Sequence, residues 1–128
     1  MKKILCALIS CVILTACITP TSANEQPKFE QDVYKLYPTS NMWTFIKLNT
    51  RNGKLWQVQY DVRGDNRFEV SLSSIPLADE VTSRAGRFEL YETQNMYNFI
   101  LLDQTNGKTW QVQWSIEEEN RGIVPISD

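Results

Sequence analysis

Residues 51 to 60 read RNGKLWQVQY, and residues 105 to 114 read TNGKTWQVQW. Setting Tyr34 to Leu72 against Phe88 to Ile126 at a constant offset of 54 residues needs no gap, and 18 of the 39 positions are identical. Chance does not produce that agreement, so the chain writes one supersecondary unit twice, and the expected fold is built from two pseudo-symmetric copies related by a pseudo-two-fold. Identical pairs include Asn41/Asn95, Met42/Met96, Phe45/Phe99, Leu48/Leu102, Gly53/Gly107, Trp56/Trp110, Gln57/Gln111, Gln59/Gln113 and Arg67/Arg121.

Within each copy apolar residues alternate with period two and are rich in aromatic and β-branched types, the pattern of strands. Strands are expected near 33 to 38, 42 to 50, 54 to 62 and 67 to 73, and again near 87 to 92, 96 to 104, 108 to 116 and 121 to 126. Ser74 to Gly86, interrupted by Pro76, reads as the linker between copies, with one helical turn expected at Leu77 to Val81. The fold class is therefore all-β: two antiparallel sheets of about four strands each, packed as a sandwich or a small barrel. One such sheet cannot bury its own apolar face, and its duplicate supplies the cover.

Which face is apolar depends on how the hairpin closes. A two-residue type I′ turn at Asn52-Gly53 puts Trp43 and Phe45 on one face with Trp56, Val58 and Tyr60, and leaves the glutamines opposite Ile46 and Leu48. A turn over Thr50 to Gly53, with the glycine in the left-handed position, is read as shifting the pairing by one residue, so that Met42, Ile46 and Leu48 meet Trp56, Val58, Tyr60 and Val62. The second register is preferred because it separates an apolar face from a mixed one in both copies. The mixed face then carries Trp43, Phe45, Gln57 and Gln59 in the first copy and Tyr97, Phe99, Gln111 and Gln113 in the second. Aromatic planes beside amides are suited to stacking on sugar rings and bonding their hydroxyls, so Trp43, Gln57, Gln59, Tyr97, Gln111 and Gln113 form the candidate ligand site. The same face could instead be covered by the linker, by the first strand of each copy or by a partner.

The beginning of the chain follows the order of an export signal: Lys2 and Lys3, an apolar run from Ile4 to Leu14, then small residues. That run falls short of the roughly 20 apolar residues a membrane-spanning helix needs. Leu14-Thr15-Ala16-Cys17 resembles the lipobox of bacterial lipoproteins, which implies removal of a signal peptide over 1–16 and lipid attachment at Cys17. Thr21-Ser22-Ala23 offers a competing cut that would release a soluble chain starting at Asn24. With Ile18 after the cysteine, the lipoprotein resemblance implies passage to the outer membrane of a Gram-negative envelope. Residues 17–28 are rich in Pro, Ser and Thr and read as a flexible tether. Residues 29–128 make a single β domain, with copies over 34–72 and 88–126.

All three cysteines, Cys6, Cys11 and Cys17, fall by position 17, so the domain can hold no disulfide. Removing residues 1 to 16 takes away two lysines, leaving 11 basic and 15 acidic side chains and a net charge of −4. Nucleic acid, which calls for a basic patch, is not an expected partner. The chain has no histidine, which excludes a histidine-based triad and the usual zinc sites; neither metal nor cofactor is expected, and the chain reads as non-catalytic. Glu117-Glu118-Glu119 reads as a solvated loop. Asn49 and Asp103, ahead of the turns, are expected to accept bonds from turn amides, and Arg67 and Arg121 to bond to strand edges or loop carbonyls.

The run Phe99 to Asp103 followed by Asn106-Gly107-Lys108 and Trp110 is similar to strand-turn-strand units of quinoprotein-like β-propeller blades, but two copies are too few to close a propeller. It more closely resembles small exported bacterial lipoproteins that repeat N-M-[WY]-x-F-I-x-L-[DN] followed by NGK-x-W-Q-V-Q, here over Asn41 to Gln59 and Asn95 to Gln113. That resemblance implies an exported β-protein and brings no activity with it. Two readings of function follow: an envelope module that binds glycan through its aromatic and glutamine face, or one that holds a protein partner as an inhibitor or assembly component.

Overall fold

A computed structural model describes residues 32–126. The expected signal over 1–16, the expected tether over 17–28 and Cys17 lie outside the described residues. The described chain is all-β: β1 (Tyr34–Pro38), β2 (Thr44–Asn49), β3 (Leu55–Gln59) and β4 (Phe68–Ser73) form one antiparallel sheet in that order. A second sheet runs β5 (Phe88–Glu92), β6 (Asn98–Asp103), β7 (Thr109–Gln113) and β8 (Gly122–Pro125). The sheets share no strand and stack as a sandwich, not a closed barrel.

Many of the identical residues make turns. Asn41 Oδ1 accepts from the Trp43 N–H at 2.9 Å, and Asn95 Oδ1 from the Tyr97 N–H at 3.0 Å. The hydroxyls of Thr39 and Thr93 each close the same turn onto the carbonyls of Thr44 and Asn98. These local bonds turn the chain over residues 41 to 43 and 95 to 97, leaving the Trp43 and Tyr97 carbonyls to accept the Tyr60 and Trp114 N–H groups, so β2 and β6 start later than the apolar pattern suggests. At the next turn Asn49 and Asp103 each accept the N–H two residues on, at 2.9 Å, as expected from the sequence. Gly53 and Gly107 both take φ +77°, the left-handed conformation that glycine adopts without steric cost.

The turn comprises the four expected residues, Thr50 to Gly53, but the register differs from the preferred one. The Asn49 N–H donates to the Lys54 carbonyl at 2.9 Å, so the loop closes on Asn49/Lys54 and Ile46 pairs with Gln57, Lys47 with Trp56 and Phe45 with Val58. A four-residue loop is two residues longer than the type I′ alternative, and two residues preserve which side chains share a face. Trp43 and Phe45 therefore lie with Trp56, Val58 and Tyr60, and the glutamines lie on the other face with Thr44, Ile46 and Leu48. The second copy closes in the same way, with Ile100 opposite Gln111 and Leu101 opposite Trp110.

Equivalent positions do not have equivalent burial. In the first sheet the buried face carries Thr44, Ile46, Leu48, Leu55 and Gln57; in the second it carries Phe88, Leu90, Phe99, Leu101, Val112 and Trp114. Ile46 is sealed while its counterpart Ile100 is half-exposed, and Val112 is sealed while its counterpart Val58 is half-exposed. A two-fold would bury the same patch on both sheets. The expected pseudo-two-fold is thus replaced by front-to-back stacking, in which the glutamine side of sheet one meets the aromatic side of sheet two. Burying these side chains, at about 1.5 to 3 kcal/mol each, supplies the main stabilisation.

The linker closes one end of this core. The Leu77 N–H donates to the Asn52 carbonyl at 2.7 Å, and Ala78 is buried. One turn runs from Asp79 to Ser83, where the Ser83 N–H reaches the Asp79 carbonyl at 2.9 Å and Asp79 Oδ1 accepts the Thr82 N–H at 2.7 Å, and a second is closed by the Arg87 N–H on the Arg84 carbonyl at 3.2 Å. No helix forms at Leu77 to Val81, because Leu77 and Ala78 are committed to the core edge. Thr50, also buried, ties three segments together: it donates to the Val33 and Asp32 carbonyls, and it accepts the N–H groups of Phe88 and Gly86.

Candidate functional site

Front-to-back stacking distributes the six candidate ligand residues over separate surfaces. Gln57 is fully buried between the sheets, and its Oε1 accepts the Ser115 N–H at 3.3 Å. It acts as inter-sheet glue. Gln59, next on the same face, is half-buried. Trp43 lies on the opposite, outer face of sheet one against Tyr60, with ring centroids 5.3 Å apart. The expected pairing of Trp43 with Gln57 and Gln59 on one face is therefore absent, for the register reason given above.

That outer face of sheet one is apolar and aromatic: Tyr34, Leu36, Trp43, Phe45, Trp56, Val58 and Tyr60 share it. Tyr34 lies 6.3 Å from Trp56, and Phe45 lies 6.2 Å from Tyr60. The Lys47 ammonium sits 4.7 Å above the Trp56 ring and is ion-paired with Glu69 of β4. Leu36 is 61% exposed, well beyond what a covered strand residue shows. The outer face of sheet two carries Asn98, Ile100, Leu102, Thr109, Gln111 and Gln113. Gln111 is exposed, and its Nε2 donates to Asn98 Oδ1 at 2.8 Å.

In the second copy the register likewise sets Tyr97 on the face opposite Gln111 and Gln113, so the expected shared face is absent there too, but Tyr97 and Gln113 border one cleft at the end of the sheet. Tyr97 and Gln113 line a cleft of about 380 Å³ together with Trp114, Ser115, Ile116, Glu117 and Asn120. Its floor is rigid: Trp114 is buried, its Nε1–H donates to the Met96 carbonyl at 2.9 Å, and the Tyr97 ring lies 5.2 Å from it. Tyr97 remains 44% exposed, so one side of its ring faces solvent while the other is held by the tryptophan. The loop that supplies Ser115 to Asn120 is pinned by Arg121, which donates from Nε to the Ser115 carbonyl and from Nη2 to the Ile116 carbonyl, both at 2.8 Å. Arg67 makes the matching bond to the Asp61 carbonyl at 3.0 Å, so both arginines serve loop carbonyls as the sequence suggests. Gln111 and Gln113 line an adjoining groove with Glu119, Asn120 and Arg121.

Glu118 to Asn120 form a single exposed 3-10 turn. No group of three or more His, Cys, Asp or Glu able to hold a metal occurs among the described residues. One electrostatic feature escapes the sequence reading. Arg87, just before β5, grips Asp103 with its Nε at 3.1 Å and its Nη2 at 2.7 Å, and both side chains are buried. Burial pushes the Asp103 carboxyl up, but the Arg87 hydrogen bonds, the Thr105 N–H and the Arg87 charge together outweigh it and hold the group below its ordinary value. The signal lay in the duplication: the counterparts of Arg87 and Asp103 are Val33 and Asn49, so both members of the pair change together.

Comparison with protein-family models, with curated proteins and with solved structures finds no match to this chain.

Proposed function

We propose that this chain is an exported, lipid-anchored, non-catalytic binding module of the bacterial cell envelope that takes a glycan in the cleft of the second copy. The observation that carries the reading is an exposed aromatic residue bordering a cleft together with amide residues: Tyr97, packed against Trp114, lines it with Gln113 and Asn120. A ring face offers apolar contact to the C–H side of a sugar, and the two amides supply both donors and acceptors for hydroxyls. Glu117 at the rim adds an acceptor. The lipobox at Leu14 to Cys17 supports the anchoring, and a chain without histidine supports a role in binding over one in acid–base chemistry.

A glycan array with the whole chain, run beside Tyr97→Ala and Gln113→Ala, tests this. The expected outcome is binding by the native chain that either substitution removes, with Trp43→Ala as a variant that keeps it. A blank array, or binding indifferent to Tyr97 and Gln113, would refute the glycan reading. Replacing Cys17 by Ser and asking whether the chain leaves the membrane fraction tests the anchor separately.

A further inference from the structure

We propose that copies of this chain associate head to tail through the two outer sheet faces, the outer face of sheet two of one copy stacking on the outer face of sheet one of the next. The template is the junction inside the chain. There, the side of sheet one bearing Ile46, Leu48 and Gln57 is joined to the side of sheet two bearing Phe99, Trp110 and Val112. Because the sheets stack front to back, each junction uses one face of each kind, and the two faces left over are the same two kinds. The free face of sheet two offers Ile100, Leu102 and Gln111, identical in type to the buried Ile46, Leu48 and Gln57. The free face of sheet one offers Phe45, Trp56 and Val58, identical to Phe99, Trp110 and Val112.

Charge follows the same order. Within the chain Lys35 of β1 donates to Glu89 of β5 at 2.9 Å, and these are equivalent positions, 54 residues apart. In a head-to-tail stack Glu89 of one copy faces Lys35 of the next, so the column alternates in sign instead of repelling. Gln57 seals the internal junction by accepting the Ser115 N–H. Gln111 stands where it can accept the N–H of Asp61, the counterpart of Ser115, in the next copy.

Of the substitutions that set the faces apart, such as Thr109 for the buried Leu55 and Tyr34 for the buried Phe88, one pair brings charge into the contact. Lys47 and Glu69 stand where the internal junction has Leu101 and Ile123, and they are paired with each other. Burying that pair costs desolvation, which makes the junction between chains weaker than the one within a chain. A heterologous contact of this kind closes into a ring or runs on as a filament, depending on its rotation, and it covers Gln111 and the Gln113 border of the Tyr97 cleft, which lie on the same face. The inference stands independently of the glycan reading.

The test is co-capture of two differently tagged full-length copies, expressed together and extracted in mild detergent. Native captures native. Val58→Asp blocks the face of sheet one, and Ile100→Asp blocks that of sheet two. Each variant should lose capture of its own kind to background, while Val58→Asp with Ile100→Asp is captured, because one intact face of each kind remains. That rescue also shows both variants folded. Lys47→Leu/Glu69→Ile, which restores the internal residues, should increase capture, and Ile100→Asp added to both tagged copies should abolish the gain. Absence of native-to-native capture would overturn the proposal, as would capture of a Val58→Asp/Ile100→Asp double variant at the native level, which would place the contact elsewhere.

Discussion

Gly53 and Gly107 occupy the same N-G-K sequence and the same φ of +77°, yet they should respond differently to alanine. Forcing an L-residue into the left-handed region costs roughly 1 to 2 kcal/mol, and both sites incur that. At Gly107 nothing lies within 4 Å of the added Cβ. At Gly53 the Cβ would stand 3.0 Å from Leu77 Cδ1 and 3.1 Å from Phe88 Cε1, because the linker and the start of β5 close over this turn and not over its counterpart. Overpacking of that kind adds about 1 to 3 kcal/mol. Gly107→Ala should therefore lose only the conformational part, and Gly53→Ala should lose the sum, about 2 to 5 kcal/mol. Urea unfolding gives the two free energies, and calorimetry should show about 4 to 8 °C lost per kcal/mol for a domain of this size. Asparagine, which tolerates the left-handed region, should recover part of the loss at position 107 and none at 53. Equal losses at the two sites would mean that Leu77 and Phe88 do not close over Gly53, and the front-to-back arrangement of sheets and linker would fail with them.

Further outcomes follow from other parts of the structure. Asp103→Asn leaves Arg87 buried without its counter-charge and should cost about 3 to 5 kcal/mol by denaturant unfolding. The Asp103 carboxyl is held below its ordinary value, so its contribution is present above the unfolded value of 3.8 and is lost as pH falls through the lower folded one. A stability titration should drop in that acid window, and less so in Asp103→Asn. Burial, and the hydrogen bond it donates to Glu89 at 2.8 Å, push the Tyr37 phenol well above its ordinary 10.0. A raised value gives stability that is present below pH 10 and lost as pH rises above it, so Tyr37→Phe should flatten the alkaline limb of the same titration. Ile46→Ala should cost about 2 to 5 kcal/mol as a core truncation, and Ile100→Ala much less, measured on dilute chain.

Local chemistry was legible in the sequence, and the relation between the copies was not. Asn49, Asn52 and Gly53, with their repeats, announce turns whose bonds reach only two or four residues along the chain, and the structure makes those bonds, whereas the turns at Asn41 and Asn95 fall where the apolar pattern expects strands to begin. The face assignment fails because both faces of each sheet carry large apolar groups: Ile46 and Leu48 on one, Phe45 and Val58 on the other. Alternation alone cannot say which face is covered, and the decision falls to the count of loop residues between Asn49 and Lys54. The same ambiguity hides the stacking. A repeat whose two faces are both apolar can be buried on either side, and front-to-back stacking uses one side in each copy. Lys47 and Glu69, standing where the buried sheet has Leu101 and Ile123, were the readable hint that the aromatic side of sheet one is not the one sealed inside. The candidate ligand residues scattered for this reason, while Tyr97 and Gln113, on opposite faces of sheet two, border one cleft at the end of β7.

The front-to-back stack turns identical residues of the two copies opposite ways. It is tested most directly by placing single cysteines at Ile46, Ile100, Val58 and Val112 in a domain that has none, and measuring maleimide modification at each site by peptide mass. The chain is kept native and dilute enough to sediment as a monomer. Cysteine at 100 and at 58 should react quickly, and cysteine at 46 and at 112 should be protected to the level of global unfolding. If instead 46 and 100 react alike, and 58 and 112 react alike, the copies are related by a two-fold and the front-to-back account is wrong.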